Sequence, residues 1–200
     1  MPRFLIAAMA LLALSATAAQ AAGDAEAGKV KAYTCTGCHG IPGYKNTYPH
    51  YDVPKVGGQN APYLVSALQA YQSGTRAHPT MNGHAQSLSG QDIEDIAAWF
   101  ASLPAGSAEA VTGDAAAGQQ KSTPCQACHG EAGIAVDPNL YPNIAGQHAS
   151  YIGKALHDYR DGHRVNPLMS GFAAALSDQD IEDLSAWFAS QAGLRDLSAD

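Results

Sequence analysis

Basic side chains are scarce in this 200-residue chain, which has 11 lysines and arginines against 18 aspartates and glutamates. The formal net charge is −7, and the few basic residues form no run. Proteins that bind nucleic acid need a basic surface to neutralise phosphates, so this charge pattern excludes nucleic acid as a partner. Long apolar runs are also lacking after the first 21 residues. We therefore expect no later segment to span a membrane.

Cysteine is scarce too, and all four cysteines fall in one kind of motif. Two residues separate the thiols of each pair, and a histidine follows directly: Cys35, Cys38 and His39, then Cys125, Cys128 and His129. No cysteine is left over to form a disulfide between distant parts of the chain.

The C-x-x-C-H pattern is typical of covalent attachment of c-type haem. Its two thiols lie on one turn, where each can add to a haem vinyl group, and the histidine is then placed beneath the iron. Two zinc knuckles are an alternative, because C-x-x-C also binds zinc. Local disulfides are another, although this spacing strains them. We predict two covalently bound haem c groups, with His39 and His129 as iron ligands.

The first 21 residues are typical of a signal peptide for export. Arg3 supplies a positive charge, residues 4–14 are apolar, and Ala19-Gln20-Ala21 provides the small residues of a cleavage site. The apolar stretch is short for a membrane span, although an uncleaved anchor is an alternative. We expect cleavage near Ala21 and a periplasmic mature protein, a compartment that suits covalent haem attachment.

The remainder of the chain consists of two copies of one sequence repeat. Cys35 and Cys125 are 90 residues apart, but Met81 and Met169 are 88 apart, so the first unit has two extra residues after its motif. These offsets predict a signal peptide at 1–21, a first domain at 22–103, a linker at 104–113 and a second domain at 114–200. Each domain of about 80–90 residues is small for an apolar core, so a haem should complete it.

Apolar spacing and capping residues predict three principal helices in each domain, and strand signals are weak throughout. The predicted helices of the first domain run from Asp24 to about Tyr33, where the haem motif closes the helix, from Ala61 to Gln72 with Gly74 as the end signal, and from Ser89 to a stop before Pro104. Those of the second domain cover 114–122, 150–161 and 177–188. The architecture should be all-α, with two domains in tandem.

Gly28 and Gly118 fall inside the first helix of each domain, although glycine costs a helix about 1 kcal/mol relative to alanine. They are either tolerated imperfections or points where the first and third helices cross closely. Because glycine occurs at both equivalent positions, we favour a close crossing, with Trp99 and Phe100, or Trp187 and Phe188, across the glycine.

An iron with histidine on one face needs either a second protein ligand or an open site, and this choice separates an electron carrier from an enzyme. Only Met81 and Met169 remain as methionines after the signal is removed, each in a Pro-x-Met sequence between the second and third helices. Methionine is also common core filler, and His84 is a competing ligand. We predict Met81 and Met169 as the second iron ligands, carried on loops. The remaining histidines have no equivalent in the other unit and should be exposed and unpaired: His50, His78, His148, His157 and His163.

Two further pairs of equivalent residues have predicted roles at the haems. The backbone carbonyl of Pro54 or Pro142 could accept the Nδ1–H of the motif histidine and fix its tautomer. Arg76 and Arg164 could bind haem propionates, the alternative being solvated cations at helix ends.

As a set, these motifs resemble those of the cytochrome c4 family, within the class I c-type cytochromes. The resemblance covers nearly all of the mature chain. Besides C-x-x-C-H, it rests on Gly-Gln-x-x-x-Tyr (58–63 and 146–151), Gly-x-Arg-x-x-Pro-x-Met (74–81 and 162–169) and Leu-Ser-x-Gln-Asp-Ile-Glu-Asp (88–95 and 176–183). It implies two class I cytochrome c domains about a pseudo-twofold axis, with haem edges near the interface. It also implies a periplasmic carrier between a quinol–cytochrome c reductase, or a similar donor, and a terminal oxidase.

One segment departs from that family. Residues 41–56 form a longer stretch than their counterpart and contain Tyr44, Tyr48, His50 and Tyr51. This segment either covers the haem edge or docks a partner particular to a subgroup.

Three functions fit such a chain. Electron transfer without chemistry of its own is favoured, because methionine and histidine together close the iron to substrates and methionine raises its potential. A cytochrome subunit of a larger redox enzyme, such as a sulfide-oxidising flavoprotein complex, would contain the same module. A di-haem peroxidase would need an open iron, against which both methionines argue. We therefore expect an electron carrier rather than an enzyme, with a membrane-bound reductase and a terminal oxidase as redox partners.

Overall fold

The computed structural model describes residues 23–197, and the predicted signal peptide lies outside them. The first half contains α1 (Ala25–Lys31), α2 (Tyr33–His39), β1 (Lys45–Asn46), β2 (Tyr51–Asp52), α3 (Ala61–Ser73), α4 (Pro79–Gln86) and α5 (Gly90–Ser102). The second half contains α6 (Ala115–Lys121), α7 (Thr123–His129), α8 (Ala149–Asp161), α9 (Pro167–Ala173) and α10 (Asp178–Ala189). Within residues 23–197, none of the helices has both the length and the apolar character needed to cross a membrane.

Side-chain caps start the first and last helices of each domain where the sequence predicts. The Asp24 carboxylate accepts the backbone N–H groups of Glu26 and Ala27 at the start of α1. Ser89 and Asp92 form a reciprocal capping box at the start of α5, and Ser177 and Asp180 repeat it at α10. At the other end, α3 stops because Gly74 adopts the left-handed conformation, with φ 78°. These predicted helix ends are confirmed.

Three local predictions are wrong. The haem motif does not close the first helix, because α1 ends at Lys31 and the motif forms the separate helix α2. The methionine segments are not loops but the short helices α4 and α9. Each of these begins with proline, whose fixed φ suits the first helical position, and is capped by the side chain of His78 or Asn166. The sequence pattern also predicts no strands, but the first domain contains a short hairpin, in which Lys45 pairs with Asp52 and Asn46 with Tyr51.

The first and last helices of each domain cross closely at glycine. A Cβ atom added to Gly28 would lie 1.9 Å from the Asp95 carbonyl oxygen, and one added to Gly118 would lie 2.0 Å from that of Asp183. Beyond the Asp95 carbonyl group, the Cβ of Trp99 would lie 3.0 Å from the atom added at Gly28. The prediction of a close crossing at these two glycines is confirmed, and any larger residue would separate the helices.

An ion pair closes the same crossing in each domain. Lys31 Nζ lies 2.8 Å from an oxygen of Asp92 and 2.5 Å from one of Asp95, and Asp95 is only 3% exposed. The other oxygen of Asp95 accepts the backbone N–H of Asp24 and the side-chain amide of Gln91. Lys121 makes the equivalent pairs in the second domain. A carboxylate buried at this depth is stable only because it is fully paired.

Each domain has a small apolar core beside its motif helix. The buried core residues of the first domain are Ala32, Leu64, Ile96, Ala97 and Phe100, and those of the second are Ile152, Leu184, Phe188 and Ala189. Cys35 packs against the first cluster and Cys125 against the second. The motif helix is therefore attached to the core by its first cysteine.

The two halves are joined through the backbone as well as by the connecting segment. Gly106 and Gly193 exchange two backbone hydrogen bonds, of 2.7 and 3.2 Å, and Arg195 donates its N–H to the Gly57 carbonyl at 3.1 Å. Leu197 packs against the core of the first domain. The end of the described chain thus crosses back onto the first half and fastens the halves together.

The Lys31 ion pair should make stability depend on acid. Hydrogen bonding to Lys31, to the N–H of Asp24 and to Gln91 lowers the pKa of Asp95 to about 2, so its contribution is present above the ordinary aspartate value and lost as the pH falls through about 2. We expect Lys31→Met to lower the melting temperature at pH 7 and to reduce the further loss on acidification. Thermal unfolding from pH 7 to pH 2 measures both effects. Lys29→Met, at an exposed position on the same helix, is the control; an unchanged acid profile in Lys31→Met would contradict the assignment.

Candidate haem-binding sites

The motif helices place both thiols of each pair on one helical turn. Cys35 and Cys38 are three residues apart on α2, as are Cys125 and Cys128 on α7, and residues at this spacing share a face. All four are free thiols and half-buried. Burial raises the pKa of the Cys35 and Cys125 thiols above the ordinary value. The disulfide alternative therefore does not describe these motifs.

Zinc binding fits the structure poorly. A structural zinc site needs four ligands, and C-x-x-C supplies two. Among residues 23–197, no group of three or more histidine, cysteine, aspartate or glutamate side chains is arranged to hold a metal ion. In the described part of the chain, neither motif therefore has the further side chains that would complete a zinc site.

Each motif histidine is held by a single backbone carbonyl. His39 Nδ1 lies 2.7 Å from the Pro54 carbonyl oxygen, and His129 Nδ1 lies 2.9 Å from that of Pro142. A carbonyl only accepts, so Nδ1 carries the proton and Nε2 has the free lone pair of a metal ligand. Burial lowers the pKa of both histidines, which favours the neutral form that binds iron. The predicted contacts to both prolines are confirmed.

The methionines lie on short helices that are fixed to the preceding long helix. Met81 is half-buried on α4, and its N–H is accepted by His78 Nδ1 at 3.3 Å. The side-chain amide of Asn82 donates to the carbonyls of Tyr71 and Arg76, which ties α4 to the end of α3. Met169 is likewise half-buried on α9, where its N–H is accepted by Asn166 Oδ1 at 3.0 Å. These anchors hold each methionine at a defined position, as an iron ligand requires.

The unpaired histidines are not all exposed. His84, the competing ligand, is exposed, but His78 caps α4, which explains why it is half-buried. His148 is also half-buried and lies 3.5 Å from Asp196, and His157 Nδ1 lies 2.9 Å from Arg160. The expectation of exposed, unpaired side chains is therefore wrong for these three, because each has a local partner that repeat comparison does not reveal.

Arg76 and Arg164 reach tyrosines of the opposite domain. Arg76 donates to the Tyr151 hydroxyl at 2.6 Å, and Arg164 donates to the Tyr63 hydroxyl at 3.1 Å. Both arginines are half-buried, so the alternative of solvated cations at helix ends is wrong. Burial alone would raise the pKa of Tyr63, but the nearby charges of Arg164 and Arg76 outweigh it and lower the pKa to about 7. This pair of reciprocal contacts forms a positively charged strip between the domains.

Tyr63 and Tyr151 have no role that the sequence pattern predicts. Their only signal was position, since Tyr63 and Tyr151 end the repeated Gly-Gln-x-x-x-Tyr motif. A contact between the Tyr of one repeat and the Arg of the other cannot be found by aligning the repeats.

The tyrosine-containing segment 41–56 lies partly against the second domain. Tyr51 is 7% exposed, and its ring centroid lies 6.2 Å from that of Tyr151. The Asp52 carboxylate accepts a hydrogen bond from the Ser150 hydroxyl at 2.6 Å, and the backbone N–H of Asp52 donates to Ser150 Oγ at 2.9 Å. Tyr48, by contrast, is 94% exposed. One end of the segment thus seals the interface and the other faces solvent.

The residues present fit a covalently attached haem in each domain. Two thiols on one face, an adjacent imidazole with a free Nε2 and a thioether on an anchored short helix of the same domain make up the donor set of a c-type site. The first cysteine of each pair packs on a small apolar core, where a large flat apolar group would add the missing buried surface.

Comparison with known proteins supports the same conclusion. The family model described as Cytochrome c matches the chain twice, over residues 25–104 and 115–192. Cytochrome c4 of Stutzerimonas stutzeri is 38% identical, over 88% of this chain and 94% of that protein. A protein of the same species described as a thiosulfate dehydrogenase electron acceptor is 32% identical, over 79% of each chain.

A solved structure gives the same fold. The crystal structure of reduced recombinant cytochrome c4 from Pseudomonas stutzeri superposes with a TM-score of 0.75 at 34% identity, covering 85% of this chain and 100% of that one. The prediction of an all-α protein with two tandem class I cytochrome c domains is confirmed. The doubled family match and the identity along most of the chain show that it belongs to the cytochrome c family and, within it, to the di-haem cytochrome c4 family, with two covalently bound haem c groups.

Proposed function

We propose that each domain binds its haem through the two cysteines and the histidine of its motif and one methionine. The proposed ligand sets are Cys35, Cys38, His39 and Met81, then Cys125, Cys128, His129 and Met169. Support comes from the Nδ1 contacts of the two histidines and from the matching anchors of the two methionines. Haem iron that alternates between ferric and ferrous states makes each site a one-electron carrier.

Arg76 and Arg164 are proposed to bind haem propionates. They form a positively charged strip with Tyr63 and Tyr151, and each guanidinium has five N–H donors, so one that is bonded to a tyrosine oxygen retains donors for a carboxylate. Propionates at this strip would bring the haem edges toward the boundary between the domains.

The protein is a di-haem electron-transfer protein, and we propose that it works in the periplasm, between a donor such as a quinol–cytochrome c reductase and a terminal oxidase. The observation that carries this proposal is the anchored Pro-x-Met helix present in both domains. With methionine and histidine on both irons, neither site is open to a substrate, and electrons can only enter and leave. A di-haem peroxidase would need one of these positions open.

We propose that export and domain limits follow the sequence pattern. The signal peptide would occupy 1–21, the first domain 22–103, the linker 104–113 and the second domain 114–200. Support comes from Leu103, which caps the end of α5, and from Asp114, which caps the start of α6.

A second candidate function is electron acceptance within a larger redox enzyme. The relative described as a thiosulfate dehydrogenase electron acceptor shares 32% identity with this chain over 79% of its length. The same two haem sites would then receive electrons from a sulfur-oxidising partner instead of a quinol-oxidising one.

Removing either methionine should open one iron. Met81→Ala and Met169→Ala are each expected to make one of the two irons bind cyanide and to lower the potential of that haem, because loss of the thioether removes the ligand that favours ferrous iron. The weak near-red absorption band of ferric haem with a thioether ligand should fall to about half of its wild-type intensity. His84→Ala is the matched control and should leave the band intact. A full-strength band in Met81→Ala would refute the ligand assignment of the first domain.

Stopped-flow kinetics can test which redox partner the protein uses. We expect the purified ferric protein to be reduced by a quinol–cytochrome c reductase, and the ferrous protein to be oxidised by a terminal oxidase, each at a rate that falls with ionic strength because charged surfaces guide the encounter. The control reaction uses thiosulfate dehydrogenase with thiosulfate. Fast reduction by that enzyme, with slow reduction by the reductase, would select the second candidate.

A further inference from the structure

A single peptide group links the motif histidine of the first domain to a glutamine of the second. The carbonyl of Pro54 accepts His39 Nδ1–H at 2.7 Å. The N–H of the same peptide group belongs to Lys55 and donates to Gln147 Oε1 at 2.9 Å. The amide Nε2 of Gln147 then donates to the Lys55 carbonyl at 2.9 Å, so that the glutamine binds both polar groups of this residue.

The second domain repeats the arrangement in the opposite direction. The carbonyl of Pro142 accepts His129 Nδ1–H at 2.9 Å, and the N–H of Asn143 donates to Gln59 Oε1 at 2.8 Å. Gln59 Nε2 donates to the Asn143 carbonyl at 2.8 Å. Each domain therefore supplies a glutamine to the histidine-binding peptide of the other.

Both glutamines are fixed in place. Gln59 is 5% and Gln147 6% exposed, and each Oε1 also accepts the N–H of the following residue, Asn60 or His148. Their side-chain amides therefore have one orientation, with oxygen toward the N–H of the peptide. The arrangement is the same in both domains although the preceding segments differ by two residues. It is thus independent of the length of the loop that leads to it.

Hydrogen bonds at the two ends of one peptide group reinforce each other. When the N–H of Lys55 is accepted, the peptide is polarised and the Pro54 oxygen becomes a stronger acceptor. A stronger acceptor draws the proton of His39 Nδ1 further and makes the imidazole a more basic ligand. A more basic imidazole stabilises ferric relative to ferrous iron, which lowers the reduction potential.

We propose that Gln147 is a positioning residue for His39 and Gln59 for His129, so that each domain sets the basicity of the other domain's axial histidine. This inference rests on the proposed function in one respect, the role of both histidines as iron ligands. The chemical consequence is a crossed dependence: a change in the glutamine of one domain alters the haem of the other.

The test is a redox titration of Gln147→Ala and Gln59→Ala beside the wild type. In Gln147→Ala the reduction potential of the first domain's haem should rise. The expected rise is about 30 mV, which corresponds to about a threefold larger ratio of ferrous to ferric haem for a one-electron couple. In Gln59→Ala the same change should occur at the second domain's haem. Each titration step is assigned to its domain by the large decrease that Met81→Ala or Met169→Ala produces.

Proton NMR of the ferrous protein gives an independent reading. The Nδ1–H resonance of His39 should move upfield in Gln147→Ala, and that of His129 should remain where it is, because a weaker hydrogen bond deshields its proton less. The resonance is assigned without the methionine variants. If methionine does not bind one of the irons, carbon monoxide supplied as the sixth ligand keeps the ferrous haem diamagnetic, and the same measurement still decides the role of the glutamines.

Ser150→Ala is the matched control. It removes two hydrogen bonds between the domains, both to Asp52 on the same first-domain segment, but leaves the Pro54–Lys55 peptide untouched. The potential and the Nδ1–H resonance of His39 should not change. Gln147→Glu keeps an oxygen for the Lys55 N–H and should not raise the potential. If Gln147→Ala fails to fold, Gln147→Met, which keeps the length of the side chain but removes the amide, is the test variant.

Three results would overturn the proposal. One is a shift at the haem of the substituted domain instead of the opposite one. Another is an equal shift in Ser150→Ala, which would mean that loosening the interface is the cause. The third is an increase in potential in Gln147→Glu as large as in Gln147→Ala, which would exclude the accepting bond to Lys55 as the source.

Discussion

The close crossing of the first and last helix of each domain is the constraint on which both haem sites depend. At Gly28 and Gly118 the backbone of α1 or α6 lies directly against a carbonyl of α5 or α10, and a lysine with two aspartates closes the same crossing. The crossing fixes where the first helix ends, and the motif helix begins two residues later. With so few buried apolar residues in each domain, little else could fix the cysteine–histidine face relative to the core.

The second constraint acts between the domains. Two tyrosine–arginine bonds and two glutamine–peptide contacts cross the boundary in reciprocal pairs, and the end of the described chain pairs with the connecting segment. Most of these bonds are at least partly buried, where an unmet partner is costly, so the halves form one hydrogen-bonded unit. A fixed arrangement of this kind would hold two haem sites at one separation, which suits a protein that carries electrons on both.

The sequence predicted the features that depend on residues close together in the chain or on one contact repeated in both domains. Ser89 with Asp92 predicted a capping box, Gly74 a helix end and Gly28 a close crossing, because each of these depends on neighbours in sequence or on one repeated contact. The helices that carry the methionines were missed because they are short and their caps, His78 and Asn166, are side chains of different types. The contacts of Gln59 and Gln147 could not be predicted, since self-comparison aligns equivalent residues and these bonds join residues that are not equivalent.

The central claim is that each half of the chain holds one covalent haem c on its own C-x-x-C-H helix. Intact mass spectrometry of the denatured protein from a periplasmic fraction tests it most directly. The account predicts the mass of a chain that starts near residue 22 plus two haem groups, and release of one haem-bearing fragment for each motif after proteolysis. A mass that corresponds to one haem or none, or two haems on a single fragment, would contradict it.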